Sequence, residues 1–184
     1  MMDFEFSRPL DIESLKPGAR PRGGEAKQAE CAALAKRLEV SAVHSLAYSF
    51  DVEPFDKGKG VRLKGTVEGR VTLNCVVTLE DFEAEVVDTV ELSFHQDADA
   101  MAEEALKGVE DPDSALLDRL PEPLDGMVLD LGEVATQQFA LALPDYPRKP
   151  GAAFENPGAG QQDVKESPFA ALQALKTGNK DVQE

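Results

Sequence analysis

The feature of this chain that most constrains its fold is a long alternation of apolar and polar residues. Across residues 61–77 the odd positions are apolar or glycine, and the even positions are polar except for Val76. This period of two is typical of a β-strand with one buried and one exposed face. Residues 82–94 alternate in the same way after a short polar break, so the two runs predict an antiparallel hairpin.

A third alternating run, residues 44–53, precedes the hairpin and predicts a three-stranded antiparallel meander. Gly65 and Gly69 lie on the apolar face of the central run. They predict bends or bulges that curl the sheet, up to a barrel-like form. We expect Tyr48 and Phe50 to cover the space above the two glycines, as large side chains do where strand glycines leave holes.

Two helices are predicted to pack on this sheet. Residues 25–39 are rich in alanine, contain no glycine or proline, and place Cys31 and Leu34 on one apolar face. Further along, Asp130 and Glu133 have the spacing of a capping box, in which Glu133 reaches back to the start of the helix. That helix is expected to end before Pro144, because proline cannot continue it.

The N-terminal segments have weaker patterns. Residues 3–7 alternate phenylalanine with acidic residues, which predicts an edge strand. Residues 17–24 contain proline, glycine and arginine and predict turns.

These elements predict one α+β domain over residues 1–147: a curled antiparallel sheet with packed helices. Within it, acidic residues and prolines accumulate over residues 97–127 and predict a mobile excursion, with one or two helical turns at 101–107. Residues 148–166 are rich in proline and glycine and predict a flexible linker.

A short helix is predicted at the C-terminal end, over residues 167–178. Ser167 suits the N-cap position and Pro168 the first helical position. Such a short helix is not stable alone in water, so we expect it to dock on its own domain or on a partner. Its candidate partner-binding side chains are Phe169, Leu172 and Leu175.

Charge and composition exclude several classes of protein. The 184 residues include 35 acidic and 19 basic ones, giving a net charge of −16, which argues against a surface covered with phosphate contacts. Two cysteines cannot form a disulfide framework or a complete cysteine-based metal site. The chain shows no signal peptide and no long apolar run, so we expect a cytoplasmic protein without a membrane partner.

One group of residues has the types that bind metal ions. His95, Asp97 and Asp99 alternate and would point the same way at a strand end. The simpler interpretation is a frayed strand that enters an acidic loop. Because no further ligand has an evident place, we expect no metal ion, no cofactor and no catalytic residue.

The basic residues are scarce and therefore informative. Lys57, Lys59, Arg62 and Lys64 occur within one turn and one strand start, with Arg70 further along the same polar face. We call these five residues the basic cluster and predict that they bind nucleic acid through its phosphates. The alternative is a solvated hairpin in which these cations pair with the glutamates of the next strand.

Five sequence features together resemble a known family. They are the alternating strand Arg62 to Cys75, the residues Leu79, Glu80 and Phe82, an acidic excursion, the stretch from Leu129 to Pro144, and the terminal segment that begins Ser167-Pro-Phe. In this order they resemble the YceD family, the large ribosomal RNA subunit accumulation proteins of bacteria and plastids, over residues 62–176.

The resemblance implies a non-enzymatic role in the accumulation of 23S ribosomal RNA during assembly of the large subunit. The expected partner is precursor 23S rRNA or an assembly intermediate. In an alternative of the same class, the acidic surface holds a basic ribosomal protein. An alternative of another class is a metal-dependent hydrolase that uses His95 and its acidic neighbours.

The chain departs from the family pattern at its cysteines. The family typically has Cys-x-x-Cys after the alternating strand; here Cys75 matches the first cysteine, and Thr78 stands in place of the second. Residues 146–151, where many members have further cysteine or histidine, contain neither. We therefore assign no zinc and interpret Cys75 as a packed residue of the buried face.

Overall fold

The computed structural model describes residues 4–107, 109 and 120–154. The chain divides into two units, Met1–Ala152 and Ala153–Glu184, and the elements below belong to the first. The described strands are β1 (Pro9–Asp11), β2 (Arg20–Glu25), β3 (Ala42–Phe55), β4 (Gly60–Asn74), β5 (Asp81–His95), β6 (Glu122–Pro123) and β7 (Val128–Asp130). The described helices are α1 (Gln28–Arg37), α2 (Ala98–Leu106) and α3 (Leu131–Ala142).

The main sheet has the strand order β2-β3-β4-β5-β6, and β1 pairs with β7 in a separate small sheet. Strands β3, β4 and β5 form the predicted antiparallel meander, paired along nearly their whole lengths. The α+β class and the meander are confirmed. The barrel-like form is wrong, because β2 and β6 end the described sheet without pairing to each other.

The two faces of the meander differ as the alternation predicts. The inner face carries the apolar side chains and is covered by α1, α3 and the N-terminal segment. Its buried residues include Leu46, Tyr48, Phe50, Val52, Val61, Leu63, Val67, Val71, Val86, Val90 and Phe94. The opposite face, which we call the outer face, is exposed or half-buried, so none of the described elements covers it.

The glycines of β4 allow close approach rather than a bulge. The β3–β4 register passes Gly65 and Gly69 without a shift, and the irregularity lies in β3 between Val43 and Ser45. A Cβ atom on Gly65 would lie 1.9 Å from the carbonyl oxygen of Ser49. The bulges predicted at the glycines are therefore wrong.

The two glycines also differ in what covers them. Phe50 is the direct cross-strand neighbour of Gly65, which agrees with the prediction for that ring. Gly69 pairs with Leu46 instead, and a Cβ atom there would lie 2.7 Å from the ring of Phe139 in α3. The prediction that Tyr48 and Phe50 cover both glycines is therefore wrong for Gly69, where Phe139 of α3 supplies the ring; the strand pattern could not position that helix.

The N-terminal segments fold differently from the predictions. Residues 4–8 are not a strand, but Phe6 is fully buried, with its ring centroid 6.1 Å from that of Tyr48. The predicted turns at 17–24 are largely the edge strand β2, which pairs with β3. Proline and glycine are tolerated there because an edge strand forms backbone hydrogen bonds to a neighbouring strand on one side only.

Asp130 caps α3 as predicted and also holds the N-terminal segment. Its carboxylate accepts from the backbone N–H groups of Gly132, Glu133 and Arg8 at 3.0, 3.1 and 2.7 Å. Glu133 does not reach back to complete a capping box, because Arg37 of α1 binds its carboxylate through both terminal nitrogens. A capping box is present instead at α1, where Glu30 accepts from the N–H of Lys27 at 2.6 Å.

The predicted acidic excursion is partly regular. Helix α2 begins earlier than the predicted helical turns and is longer than they are. The short strands β6 and β7 lie near the C-terminal end of the excursion. The rest of the excursion, residues 108 and 110–119, lies outside the described residues. None of the helices in the described part of the chain combines the length and the apolar character that crossing a membrane requires.

Candidate functional site

The basic cluster is built around the connection between β3 and β4. A single 3₁₀ turn, Asp56–Gly58, joins the strands, and Lys57 and Gly58 adopt positive φ angles of 57° and 88°. Lys57 and Lys59 are thereby placed beside the start of β4. Arg62 and Lys64 lie two residues apart on the outer face and project in the same direction.

Arg70 is not part of the same local group. It lies six residues beyond Lys64 on β4, which corresponds to about 20 Å along a strand. Thr66 and Glu68 occupy the outer-face positions between them. The structure therefore brings together four residues of the basic cluster and leaves the fifth at a distance.

Two lysines of the cluster already have carboxylate partners. Lys59 Nζ lies 3.0 Å from Asp97 Oδ2, and Lys64 Nζ lies 2.6 Å from Glu91 Oε1. The hydrogen bond from each lysine lowers the pKa of its carboxylate partner, and Asp97 raises the pKa of Lys59. Both pairs are exposed, so they stabilise the fold little, but they neutralise charge where phosphates would bind.

Arg62 has an aromatic neighbour as well as charged ones. Its guanidinium carbon lies 5.4 Å from the centroid of the Phe55 ring, within the range of a cation–π contact. Its cross-strand neighbours are Glu53 on β3 and Ser93 on β5. Arg62 is thus held on the outer face by a ring on one side and faces an acid on another.

The outer face as a whole is acidic. Its cations on the meander are Arg62, Lys64 and Arg70, and its acids are Asp51, Glu53, Glu68, Asp81, Glu83, Glu85 and Glu91. Acids therefore outnumber cations by more than two to one on this exposed surface. The pairing of the cations with glutamates of the next strand, considered above as an alternative, is present at Lys64.

His95 is buried, and both of its ring nitrogens have hydrogen-bond partners. Its side chain is 2% exposed; Nδ1 accepts the N–H of Asp97 at 3.0 Å, which leaves Nε2 as the donor to Asp56 Oδ2 at 3.2 Å. The Asp97 carboxylate binds Lys59. Within the described residues, no three histidine, cysteine or acidic side chains are grouped so that they could hold a metal ion.

Cys75 is buried, but it lies outside the main hydrophobic cluster. Its Sγ accepts the backbone N–H of Lys149 at 3.3 Å. Hydrogen bonds from the Thr78 hydroxyl, and then from the Lys149 N–H, lower the pKa of the Cys75 thiol to about 6. The interpretation of Cys75 as a packed residue accounts for its burial but misses these donors.

The sequence gives some signals for the partners that the predictions missed. Glu91 could be found from the alternation of charges on paired strands. Asp56, Asp97 and Lys149 could not, because they lie in turns and loops whose paths no periodicity predicts. The predicted partner-binding residues Phe169, Leu172 and Leu175 lie outside the described residues.

Comparison with known proteins gives one family. The family model described as large ribosomal RNA subunit accumulation protein YceD matches residues 63–176. The match begins within β4 and includes β5, α2, β6, β7 and α3. No curated protein and no solved structure matches the chain.

Proposed function

Because the chain belongs to the YceD family of large ribosomal RNA subunit accumulation proteins, we propose that it supports accumulation of 23S rRNA as a non-enzymatic binding factor. Its target is precursor 23S rRNA or an assembly intermediate of the large subunit, and it acts in the cytoplasm. The observation that carries the proposal is the family match, which covers more than half of the chain.

The chemistry of the described residues supports binding over catalysis. Buried His95 is bonded to Asp56 and to the backbone of Asp97, so both ring nitrogens are engaged. His44 is exposed and its Nε2 lies 2.8 Å from the Thr72 hydroxyl. A hydrolase centred on His95 would have to break these bonds before the ring could hold a metal ion or move a proton.

The RNA-binding form of the proposal rests on Lys57, Lys59, Arg62 and Lys64. Their placement at one end of the sheet suits contact with one stretch of phosphate backbone. Each phosphate contact should contribute about −0.9 to the slope of log affinity against log salt on a duplex, and about −0.7 on a single strand.

The experiment has a cellular and a biochemical part. In cells, depletion of the protein should lower 23S relative to 16S rRNA, and crosslinking should recover precursor 23S rRNA with it. In vitro, Lys57→Gln, Lys59→Gln and Lys64→Gln together should reduce the salt slope for a 23S fragment by about two to three. The matched control changes three lysines elsewhere, Lys16, Lys36 and Lys107, to glutamine. An unchanged slope in the first variant would exclude the cluster as the RNA site.

A second candidate is binding of a basic ribosomal protein, with rRNA accumulation as an indirect result. The observation that favours it is the charge of the outer face, where acids are in excess and Lys64 is already paired. Under this candidate, crosslinking should recover a lysine- and arginine-rich protein rather than RNA.

A further inference from the structure

In the described part of the chain, one side of β5 has no strand partner along most of its length. On one side β5 pairs with β4 from Asp81 to His95. On the other side, among the described residues, it pairs with β6 at Phe94 and His95 only. In an antiparallel pair, alternate residues direct their N–H and C=O groups away from the partner, so residues 81–93 present a row of backbone donors and acceptors. Within this row the N–H of Thr89 already donates to Asp88 Oδ1, at 2.9 Å. We call this row the free edge.

The free edge has a single sign of charge. The strand contains no lysine or arginine, and its acids are Asp81, Glu83, Glu85, Asp88 and Glu91. The outer-face acids Glu83 and Glu85 are exposed. Exposed edges are commonly protected by charged side chains, most often lysine. Acids in that place repel other acidic edges and attract cations.

We propose that the free edge binds an extended, lysine- or arginine-rich segment of a partner protein as an added antiparallel strand. The proposal deepens the second candidate function and rests on it only for the partner's origin in the ribosome. Backbone hydrogen bonds to β5 would supply the general affinity, and the acids would select a cationic sequence.

The order of side chains on β5 gives the pattern of the partner. Along the outer face the strand presents Glu83, Glu85, Val87, Thr89 and Glu91. Val87 is 68% exposed, which makes it an uncovered apolar contact in an acidic row. An antiparallel partner strand meets these residues in reverse order, from Glu91 to Glu83. At alternate positions from its N-terminus, a complementary partner therefore has a cation, a threonine, an apolar β-branched residue and two more cations.

Charge argues against the other occupants of this edge. Two copies joined edge to edge would bring acids near acids across the new strand pair, which is unfavourable. RNA would bring phosphates against the same acids. A cationic polypeptide satisfies both the backbone groups and the charges.

The probe for the test is the peptide Lys-Thr-Thr-Ser-Val-Thr-Lys-Ser-Lys with blocked ends. Amide exchange followed by NMR should show alternate amides within residues 81–93 becoming protected when the peptide is added. A peptide of the same sequence, N-methylated at the residues that face β5, should lose this protection while keeping its charge.

The protein variant Glu83→Gln/Glu85→Gln should weaken peptide binding by about three- to tenfold, because it removes two cross-strand charge pairs. The matched control Glu13→Gln/Glu103→Gln makes the same change of charge on exposed residues away from β5 and should bind normally. Equal binding by the N-methylated peptide would overturn the proposal, as would protection of the same amides by a 23S fragment.

The cellular assay separates this proposal from the proposed function. If depletion lowers 23S rRNA but the peptide does not bind the free edge, only the assignment of the edge as a binding site fails. If the edge binds the peptide but depletion leaves 23S rRNA unchanged, the ribosomal role fails and the binding site stands.

Discussion

Replacement of Arg37 should destabilise the domain more than replacement of any exposed cation. Arg37 binds both carboxylate oxygens of Glu133, at 2.7 and 2.5 Å, and also Glu5 at 2.9 Å. It thereby joins α1, α3 and the N-terminal segment across the inner side of the sheet. The Glu133 side chain is only 10% exposed, whereas that of Arg37 is 33% exposed.

The cost of Arg37→Gln follows from this asymmetry. The variant leaves a nearly buried carboxylate with the Gln137 amide, at 3.1 Å, as its remaining side-chain donor. Breaking a fully buried pair costs about 3–5 kcal/mol. Because Arg37 is partly solvated, we expect the free energy of unfolding to fall by about 2–3 kcal/mol. For a chain of this size the midpoint temperature should fall by about 5–10 °C.

Urea unfolding of four proteins tests this reasoning: the parent, Arg37→Gln, Glu133→Gln and the double variant. The double variant should be more stable than the sum of the single effects predicts, by at least about 1 kcal/mol. Lys64→Gln is the matched control, since it breaks a pair of 2.6 Å whose side chains are 57% and 71% exposed. Equal losses for Arg37→Gln and Lys64→Gln, or additive single effects, would show that burial does not decide the cost.

Three further predictions concern single residues. The absorbance of the Cys75 thiolate at 240 nm should titrate with a midpoint near pH 6 and should be absent in Cys75→Ser, while Cys31→Ala, which removes a buried thiol of raised pKa, should leave it unchanged. Gly65→Ala should reduce the free energy of unfolding by about 3 kcal/mol, because its Cβ atom would meet the Ser49 carbonyl oxygen at 1.9 Å; a loss below about 1 kcal/mol would contradict this. Arg8 lowers the pKa of Glu30, so the stability from this pair is present above the unfolded pKa and is lost as pH falls through the folded one. Glu30→Gln should therefore be less stable than the parent at pH 7, and the gap should close below pH 4.5; a constant gap from pH 7 to pH 3 would refute this.

The long strands could be predicted because each one has a buried and an exposed face. The runs at 44–53, 61–77 and 82–94 correspond to β3, β4 and β5, with boundaries that differ by a few residues. The alternation of apolar and polar residues identifies a strand and its buried face wherever the strand is long enough to show the period several times. Helix α1 was predicted for a related reason, since an alanine-rich stretch with one apolar face has few other folds available.

The short strands could not be predicted, because their pairing depends on distant residues. β1 pairs with β7, which lies more than a hundred residues away, and neither is long enough to show a period. β2 contains Pro21, Gly23 and Gly24, which favour turns in local terms. Its pairing with β3 outweighs that preference at the edge of the sheet.

The candidate binding surface could be predicted only in part. Arg62 and Lys64 lie on the outer face as their parity requires. The charge of the basic cluster also depends on Asp97, which follows β5 and binds Lys59. No sequence pattern links Asp97 to Lys59. Proximity in space, not spacing in the sequence, therefore decides whether the basic cluster acts as a cationic surface.

One variant distinguishes the two candidate partners by the sign of its effect. Glu91→Gln/Asp97→Asn removes the acids that bind Lys64 and Lys59 at 2.6 and 3.0 Å. These distances are well inside the screening length of about 8 Å at physiological salt, so the two acids affect the cluster strongly, whereas distant acids are screened. If RNA binds the cluster, the variant should bind a 23S fragment more tightly and with a steeper salt dependence. If a basic polypeptide binds the acidic strand, the same variant should bind the lysine-rich peptide more weakly. Tighter peptide binding together with weaker RNA binding would contradict both assignments.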